Sequence, residues 1–229
     1  MTHLPDPNTY NDPIRYFRDC HALVITMINQ MEDLTKSAET KGVKASIKED
    51  RGWRDILDFL VHVAPQHEMD EEQALFPLIF HKIPHLGFQQ QSSPIRFIEQ
   101  QHELMQQHSI SLLKMWRQTM AKDSIDDNEA NEFILVAKEL AAIYREHVRR
   151  ENELIYTTAN DELLSPKERE EILEKIRELH GKEVISGMFD YDNPTFSQSG
   201  FQPVLTHPED AISEQSIEEE DDDEEEEEE

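Results

Sequence analysis

Apolar residues recur at three- and four-residue intervals along five stretches of the chain, the spacing of amphipathic helices. The first helix is expected to open at Asp12, with Pro13 in the first turn, where a missing N–H costs nothing. Phe17, His21, Val24, Ile25, Ile28 and Met31 then share a face, and Gly42 with its lysine neighbours reads as a loop. The second runs from roughly Asp50 to Phe80, with Ile56, Leu60, Val63, His67, Glu71, Ala74, Leu75 and Leu78 inward. Pro65 lies inside it and should kink it or start it afresh. Ser92-Ser93-Pro94 starts the third, which turns Ile95, Ile98, His102, Met105, Ser109, Ile110 and Leu113 inward. After a polar break at Ser124 to Asn128, the fourth carries Phe133, Val136, Leu140, Ile143, His147, Glu151, Leu154 and Ile155. In the fifth, Ser165 caps, Pro166 takes the first position, Glu168 completes the capping box and Gly181 is the stop.

Four long helices with short connections make an all-α four-helix bundle the economical fold. Its halves repeat at about 80 residues, which suggests two similar helical hairpins packed face to face. The expected division is an N-terminal arm over 1–11, the bundle over 12–160, an additional helix within 161–181, and an irregular linker with a disordered acidic tail over 182–229.

What packing does not require is a doubled pattern of histidine and glutamate. His21 is followed 46 residues later by His67 and then Glu71; His102 is followed 45 residues later by His147 and then Glu151. Residues four apart on a helix point the same way. All six side chains lie on apolar stripes, with no Lys or Arg among their neighbours there. A buried carboxylate must be paired or neutralised. Two histidine-bound ions bridged by two glutamates satisfy all six groups at once. Each ion then has four protein bonds, which leaves open positions for an ion that prefers about six ligands. Open positions mean reaction or small-ligand binding, whereas a structural site is closed. Imidazole with carboxylate and no sulfur suits iron, manganese or zinc.

Those segments resemble a known family. His21, "QHEMDEEQALFPLI" with His67 and Glu71, "IEQQHELM" with His102, and "EHVRRENELI" with His147 and Glu151 look like the hemerythrin-like, HHE cation-binding domain. The arrangement is most similar to di-iron proteins for repair of iron centres, without their N-terminal cysteine-containing domain. The resemblance covers roughly residues 12 to 160. It implies two non-haem iron ions, bridged by Glu71 and Glu151 and an oxo or hydroxo group, with the four histidines as terminal ligands. It further implies a protein that binds or redox-processes nitric oxide, oxygen or peroxide under nitrosative or oxidative stress. A sensor, an iron donor and a substrate-oxidising enzyme share the same ligands and stand as alternatives. Oxygen carriers have a histidine one turn after the third-helix ligand, where this chain has Gln106. They place a carboxylate five residues after the last histidine, where Glu151 is four after His147. Both differences argue against a simple oxygen carrier. The fourth helix ends "LIYTTAN", where the family tends to repeat "LFP".

Other polar residues carry weaker signals. Tyr144 is a core tyrosine, a hydrogen-bond donor behind the ligands, or a redox-active phenol. Glu99 is an acceptor for His102 or a surface acid. Glu68 and Glu72 flank Glu71 and are expected to point away from the centre. Cys20, the single cysteine, is a packed or exposed thiol rather than a ligand. His62 and His108 face away, and His81 and His85, with Pro84 between them, read as loop histidines.

Charge narrows the partners. Fifty acidic residues stand against 22 basic ones, a net charge of −28. Without the wholly acidic stretch Glu218 to Glu229, 38 acids remain against the same 22 bases. Such a body repels phosphate backbones, so nucleic acid is not expected as a partner. Neither a signal peptide nor a membrane-spanning run is evident, and the cytoplasm is the expected location. The acidic run has no apolar anchor. Deleting Glu218 to Glu229 is therefore expected to leave melting temperature and iron content nearly unchanged, by calorimetry and elemental analysis. A large loss of either shows that the tail docks on the body or feeds the site.

Overall fold

The structure is a computed structural model that describes residues 3–49, 51–82, 94–159 and 163–181. Among these residues all regular structure is helical. The acidic tail, Ser92, Ser93 and His85 lie outside them, as does the side chain of His81.

After a short 3-10 turn at Pro7–Thr9, helix α1 spans Pro13–Lys41. The Asp12 carboxylate accepts from the Ile14 N–H at 3.1 Å, with Pro13 next in line as expected. Gly42, at φ 87°, stops α1 in a conformation that favours glycine. The expected loop there is instead a short helix α2, Val43–Glu49, which buries Val43, Ser46 and Ile47. Helix α3 runs over 52–82, α4 over Pro94–Ala121, α5 over 127–158 and α6 over Pro166–Gly181. Asp126 and Glu129 form a capping box at the start of α5. Ser165 and Glu168 form the expected one before α6: the Glu168 carboxylate accepts from the Ser165 N–H at 2.8 Å.

Helices α1, α3, α4 and α5 close a bundle in which α1 packs on α3 and α5, and α4 on α3 and α5. One apolar cluster, around Met31, Trp53, Leu60, Leu112, Phe133 and Leu140, fills one stretch of its interior. A second gathers Phe17, Leu75, Phe76, Ile98, Ile155 and Tyr156, and takes Ile172 and Ile176 from α6. No helix of the described residues is long and apolar enough to cross a membrane.

Two of these helices depart from α-helical spacing at three places. Residues Phe59–Val63 and Glu71–Leu75 in α3, and Glu151–Ile155 in α5, are π-helical turns. Their ladders reach five residues back: Ala64 N–H to the Phe59 carbonyl, Phe76 to Glu71, and Tyr156 to Glu151. The first turn explains how α3 continues through Pro65. Proline has no N–H to donate, and its ring would strike the carbonyl four residues back. Widening the helix just before it relieves both problems.

The other two turns shift the inward face by one position. Leu154, expected inside, is 47% exposed, while Tyr156 is fully buried. Leu78, also expected inside, is only partly buried, and Phe76 and Ile79 are buried beside it. An inserted residue per turn advances the stripe, and apolar spacing alone does not reveal it. Chemical denaturation tests this register. Leu154→Gln is expected to change stability by less than about 0.5 kcal/mol, as for an ordinary surface site. Ile155→Ala is expected to cost about 2–4 kcal/mol through the cavity it leaves. A loss at Leu154 comparable to that at Ile155 shows that α-helical spacing, which turns both inward, continues through Glu151.

Candidate metal centre

Helix α1 contributes His21, α3 contributes His67 and Glu71, α4 contributes His102, and α5 contributes His147 and Glu151. All six are at most 3% exposed. They gather into two sets that share both glutamates: His21, His67, Glu71 and Glu151, and His102, His147, Glu71 and Glu151. Donor atoms within each set lie within 4.8 Å of one another. The imidazoles pair accordingly, with ring centroids 4.9 Å apart for His21 and His67, and 4.7 Å for His102 and His147.

Both carboxylates reach histidines of both sets, Glu71 through a different oxygen for each and Glu151 chiefly through Oε2. Glu71 turns Oε1 to His67 Nε2 at 3.6 Å and His21 Nε2 at 3.9 Å, and Oε2 to His102 Nε2 at 3.5 Å. Glu151 Oε2 lies 3.0 Å from both His21 Nε2 and His147 Nε2, and its Oε1 lies 3.7 Å from His102 Nε2. Metal–donor bonds of about 2.0–2.2 Å put two donors of one ion about 3 to 4 Å apart. The spacings therefore fit a cation between the donors. Several donors also lack other occupation. His67 Nε2, His102 Nε2, Glu71 Oε2 and both Glu151 oxygens are buried without a hydrogen-bond partner among the described residues. Polar atoms orphaned in this way are costly unless something fills the space between them.

Electrostatics show the same strain in the absence of a cation. Burial, reinforced by the neighbouring Glu151 charge, pushes the Glu71 carboxyl up to about 8. Burial acts in the same sense on Glu151, but the surrounding histidines outweigh it and hold Glu151 well below its ordinary value. His67 is driven well below the usual histidine range by burial and by His21. His102 is buried too, yet the facing carboxylates of Glu151, Glu71 and Glu72 carry it well above.

The groups behind the ligands differ from the sequence expectation. Glu72 does not point away: its Oε1 is 2.7 Å from His102 Nδ1, which fixes the ring and aims Nε2 at the glutamates. Glu68 does not point away either. It is 2% exposed and accepts from Gln106 Nε2 at 2.8 Å. A residue three before Glu71 is only about 60° off its face, and one after it about 100°. Both offsets fall within the wide inward arc of a bundle helix. Gln106, which stands where oxygen carriers place a histidine, is thus engaged with Glu68. Burial pushes the Glu68 carboxyl up to about 7.

Tyr156 carries a role that spacing missed. Its hydroxyl donates to Glu71 Oε1 and lies 3.2 Å from His21 Nε2, and its ring stacks on His21 with centroids 4.9 Å apart. The signal was present in the repeat. Tyr156 follows Glu151 by five residues as Phe76 follows Glu71, and Phe76 stacks on His102 at 6.3 Å. In an unbroken α-helix a residue five places on is turned away by about 140°. The π turns bring both rings back over the centre. Tyr144 is buried, with its hydroxyl bonded to Ser109. Cys20 is fully buried and protonated, its thiol pushed up by burial. Glu99 is only partly buried, and His62 and His108 belong to neither donor set. A cavity of about 10 Å³ opens beside the donors, lined by His21, His67, His147, Glu68, Tyr144 and Met105 among others. That volume admits one molecule of about the size of water.

A family model described as the hemerythrin HHE cation binding domain matches residues 12–159. No curated protein and no solved structure matches the chain significantly.

The titrations give a test of charge balance in the metal-free chain. Glu71 and Glu68 hold protons more tightly folded than unfolded. Their contribution is complete below the ordinary 4.5 and is lost as pH rises through about 8 and about 7. His102, also raised, loses its contribution above the ordinary 6.5, and the depressed His67 and His147 oppose this only near 6.5, where their unfolded forms finish losing protons. All three changes act in one direction, so urea stability of the metal-free chain is expected to fall between pH 6.5 and 8. Glu71→Gln is expected to flatten the slope, as is saturation with a divalent cation. A metal-free chain whose stability rises across this window contradicts the arrangement.

Proposed function

The chain belongs to the hemerythrin HHE cation-binding family, and we propose that its two donor sets hold a pair of iron ions bridged by Glu71 and Glu151. The centre then binds or redox-processes a small molecule: nitric oxide, oxygen or peroxide. The observation that carries this reading is the sharing of both glutamates between two two-histidine sets, each with orphaned buried donors. A bound iron pair supplies two electrons, on passing from the diferrous to the diferric state, and open coordination positions.

The chain's own groups supply the rest. Two carboxylate charges offset part of the cationic charge where Ile, Leu, Val and Ala offer none. Glu72 orients His102, and the Tyr156 hydroxyl holds Glu71 Oε1. The small cavity favours the smallest ligands over organic substrates, because about 10 Å³ holds no more than one water-sized group without rearrangement. Glu68, held by Gln106, and Tyr144 join the histidines His21, His67 and His147 on its wall.

Elemental analysis after iron reconstitution is expected to give about two ions per chain, with the absorption and magnetic coupling of a diferric pair. Glu71→Gln or Glu151→Gln is expected to disturb both irons, because each carboxylate serves both. His21→Ala or His102→Ala should leave one. Glu103→Gln, on the exposed side of α4 next to His102, is the matched control. At most one ion per chain in the reconstituted protein sinks the dinuclear reading. Stopped-flow mixing of the diferrous chain with oxygen, nitric oxide and peroxide then separates a stable adduct, the mark of a sensor or carrier, from multiple turnovers.

A further inference from the structure

Three of the chain's five tyrosines form, with Phe17, a continuous row of rings from the candidate metal centre outward. Tyr156 stacks on His21 at 4.9 Å between centroids and on Phe17 at 5.7 Å. Phe17 meets Tyr16 edge-on at 5.4 Å, and Tyr16 meets Tyr10 at 5.4 Å. Tyr156, Phe17 and Tyr16 are fully buried, whereas Tyr10 is partly exposed. Each phenol gives its hydrogen to a carboxylate: Tyr156 to Glu71, Tyr16 to Asp70 Oδ2 at 2.8 Å, and Tyr10 to Asp19 Oδ2 at 2.8 Å. Asp70 Oδ2 is also 2.8 Å from Nε2 of His180, whose side chain is 19% exposed.

Packing accounts for the rings but not for the hydroxyls. Phenylalanine fills nearly the same space without a buried hydroxyl that needs an acceptor. The repeat makes this comparison inside the chain: on the other side of the centre the equivalent ring is Phe76, without a hydroxyl. Tyr144, also close to the centre, bonds to Ser109 rather than to a carboxylate. A phenol gives up an electron readily only when its proton has somewhere to go, and each tyrosine of the row has that acceptor in place.

We propose that this row is an electron relay between the metal centre and the surface, with Tyr16 and Tyr10 as its stations. The proposal rests on the iron reading above. Hydrogen peroxide needs two electrons and two protons to become two waters. When the irons have no electrons left to give, Tyr16 and Tyr10 each supply one through the Phe17 and Tyr156 rings. The phenolic protons pass to Asp70 and Asp19, two neutral phenoxyl groups remain, and solvent supplies the two protons for water. A one-electron donor of the ascorbate class, acting at Tyr10, returns the electrons, and the carboxylates return the protons. His180 links Asp70 to the solvent side.

The test is freeze-quench EPR of the iron-loaded full chain after addition of hydrogen peroxide, with iron content and diferric absorption read on the same samples. Wild type is expected to give a tyrosyl signal that ascorbate removes. Tyr16→Phe should lose the buried component of that signal. Phe17→Leu keeps every phenol but breaks the row, and should lose most of the signal while folding and loading iron normally. Tyr144→Phe should retain it. A normal diferric pair without a tyrosyl signal overturns the relay alone. So does an equal signal in wild type, Tyr16→Phe and Phe17→Leu. A chain that takes up no iron pair overturns both readings.

Discussion

Two carboxylates and four imidazoles lie in the interior of an otherwise apolar bundle, and the rest of the structure depends on how their charge is balanced. Within the protein the balance is incomplete. Glu71 is pushed toward protonation, Glu151 is held ionised by histidines, and several donors are left without partners. Cations between the donors resolve these conflicts together. Isolated burial of one such group would favour its neutral form; gathered as they are, the six would favour the charged form once cations lie between them. The apolar clusters on the bundle helices make that exchange demanding, because they offer the carboxylates no alternative cation.

The fold and the donor set were legible because each has its own period. Helical spacing gave the long helices, and the 80-residue repeat put His21, His67 and Glu71 in register with His102, His147 and Glu151. All six converge where the stripes meet. What spacing could not show was the π turns. A π turn adds one residue to a helix without a residue type that marks it, so Leu154 and Tyr156 exchanged places relative to expectation. Glu68 and Glu72 were misplaced for a simpler reason. A helix packed between α1 and α4 and covered by α6 has an inward arc much wider than one line of residues. The short helix after Gly42 was missed because two buried apolar residues, Val43 and Ile47, are too few to establish a period.

The repeat is close in geometry and unequal in chemistry. Both shared glutamates begin a π turn, and both turns return an aromatic ring to a histidine from the other half. Beyond that the halves diverge. His102 has a carboxylate behind it, whereas Nδ1 of His21, His67 and His147 has no hydrogen-bond partner among the described residues. The hydroxyl and the tyrosine row lie beside His21, and the cavity touches His21, His67 and His147. Two ions in this frame would not be chemically equivalent, since ligand basicity and access are set by such outer groups.

Helix α6 lies beyond the stretch matched by the family model, yet it is not an appendage. It puts Ile172 and Ile176 into the apolar cluster around Phe17, Phe76 and Tyr156. Its Arg169 reaches Asp12 at 2.7 Å, its Arg177 reaches the Tyr10 carbonyl at 3.3 Å, and its His180 reaches Asp70, the residue preceding Glu71. The cooperative unit is therefore longer than the homologous one. A fragment cut at the edge of the family match would expose apolar surface and leave a carboxylate beside Glu71 without its imidazole. Boundaries drawn by similarity mark shared ancestry, and in this chain the boundary of physical self-sufficiency falls at least one helix later.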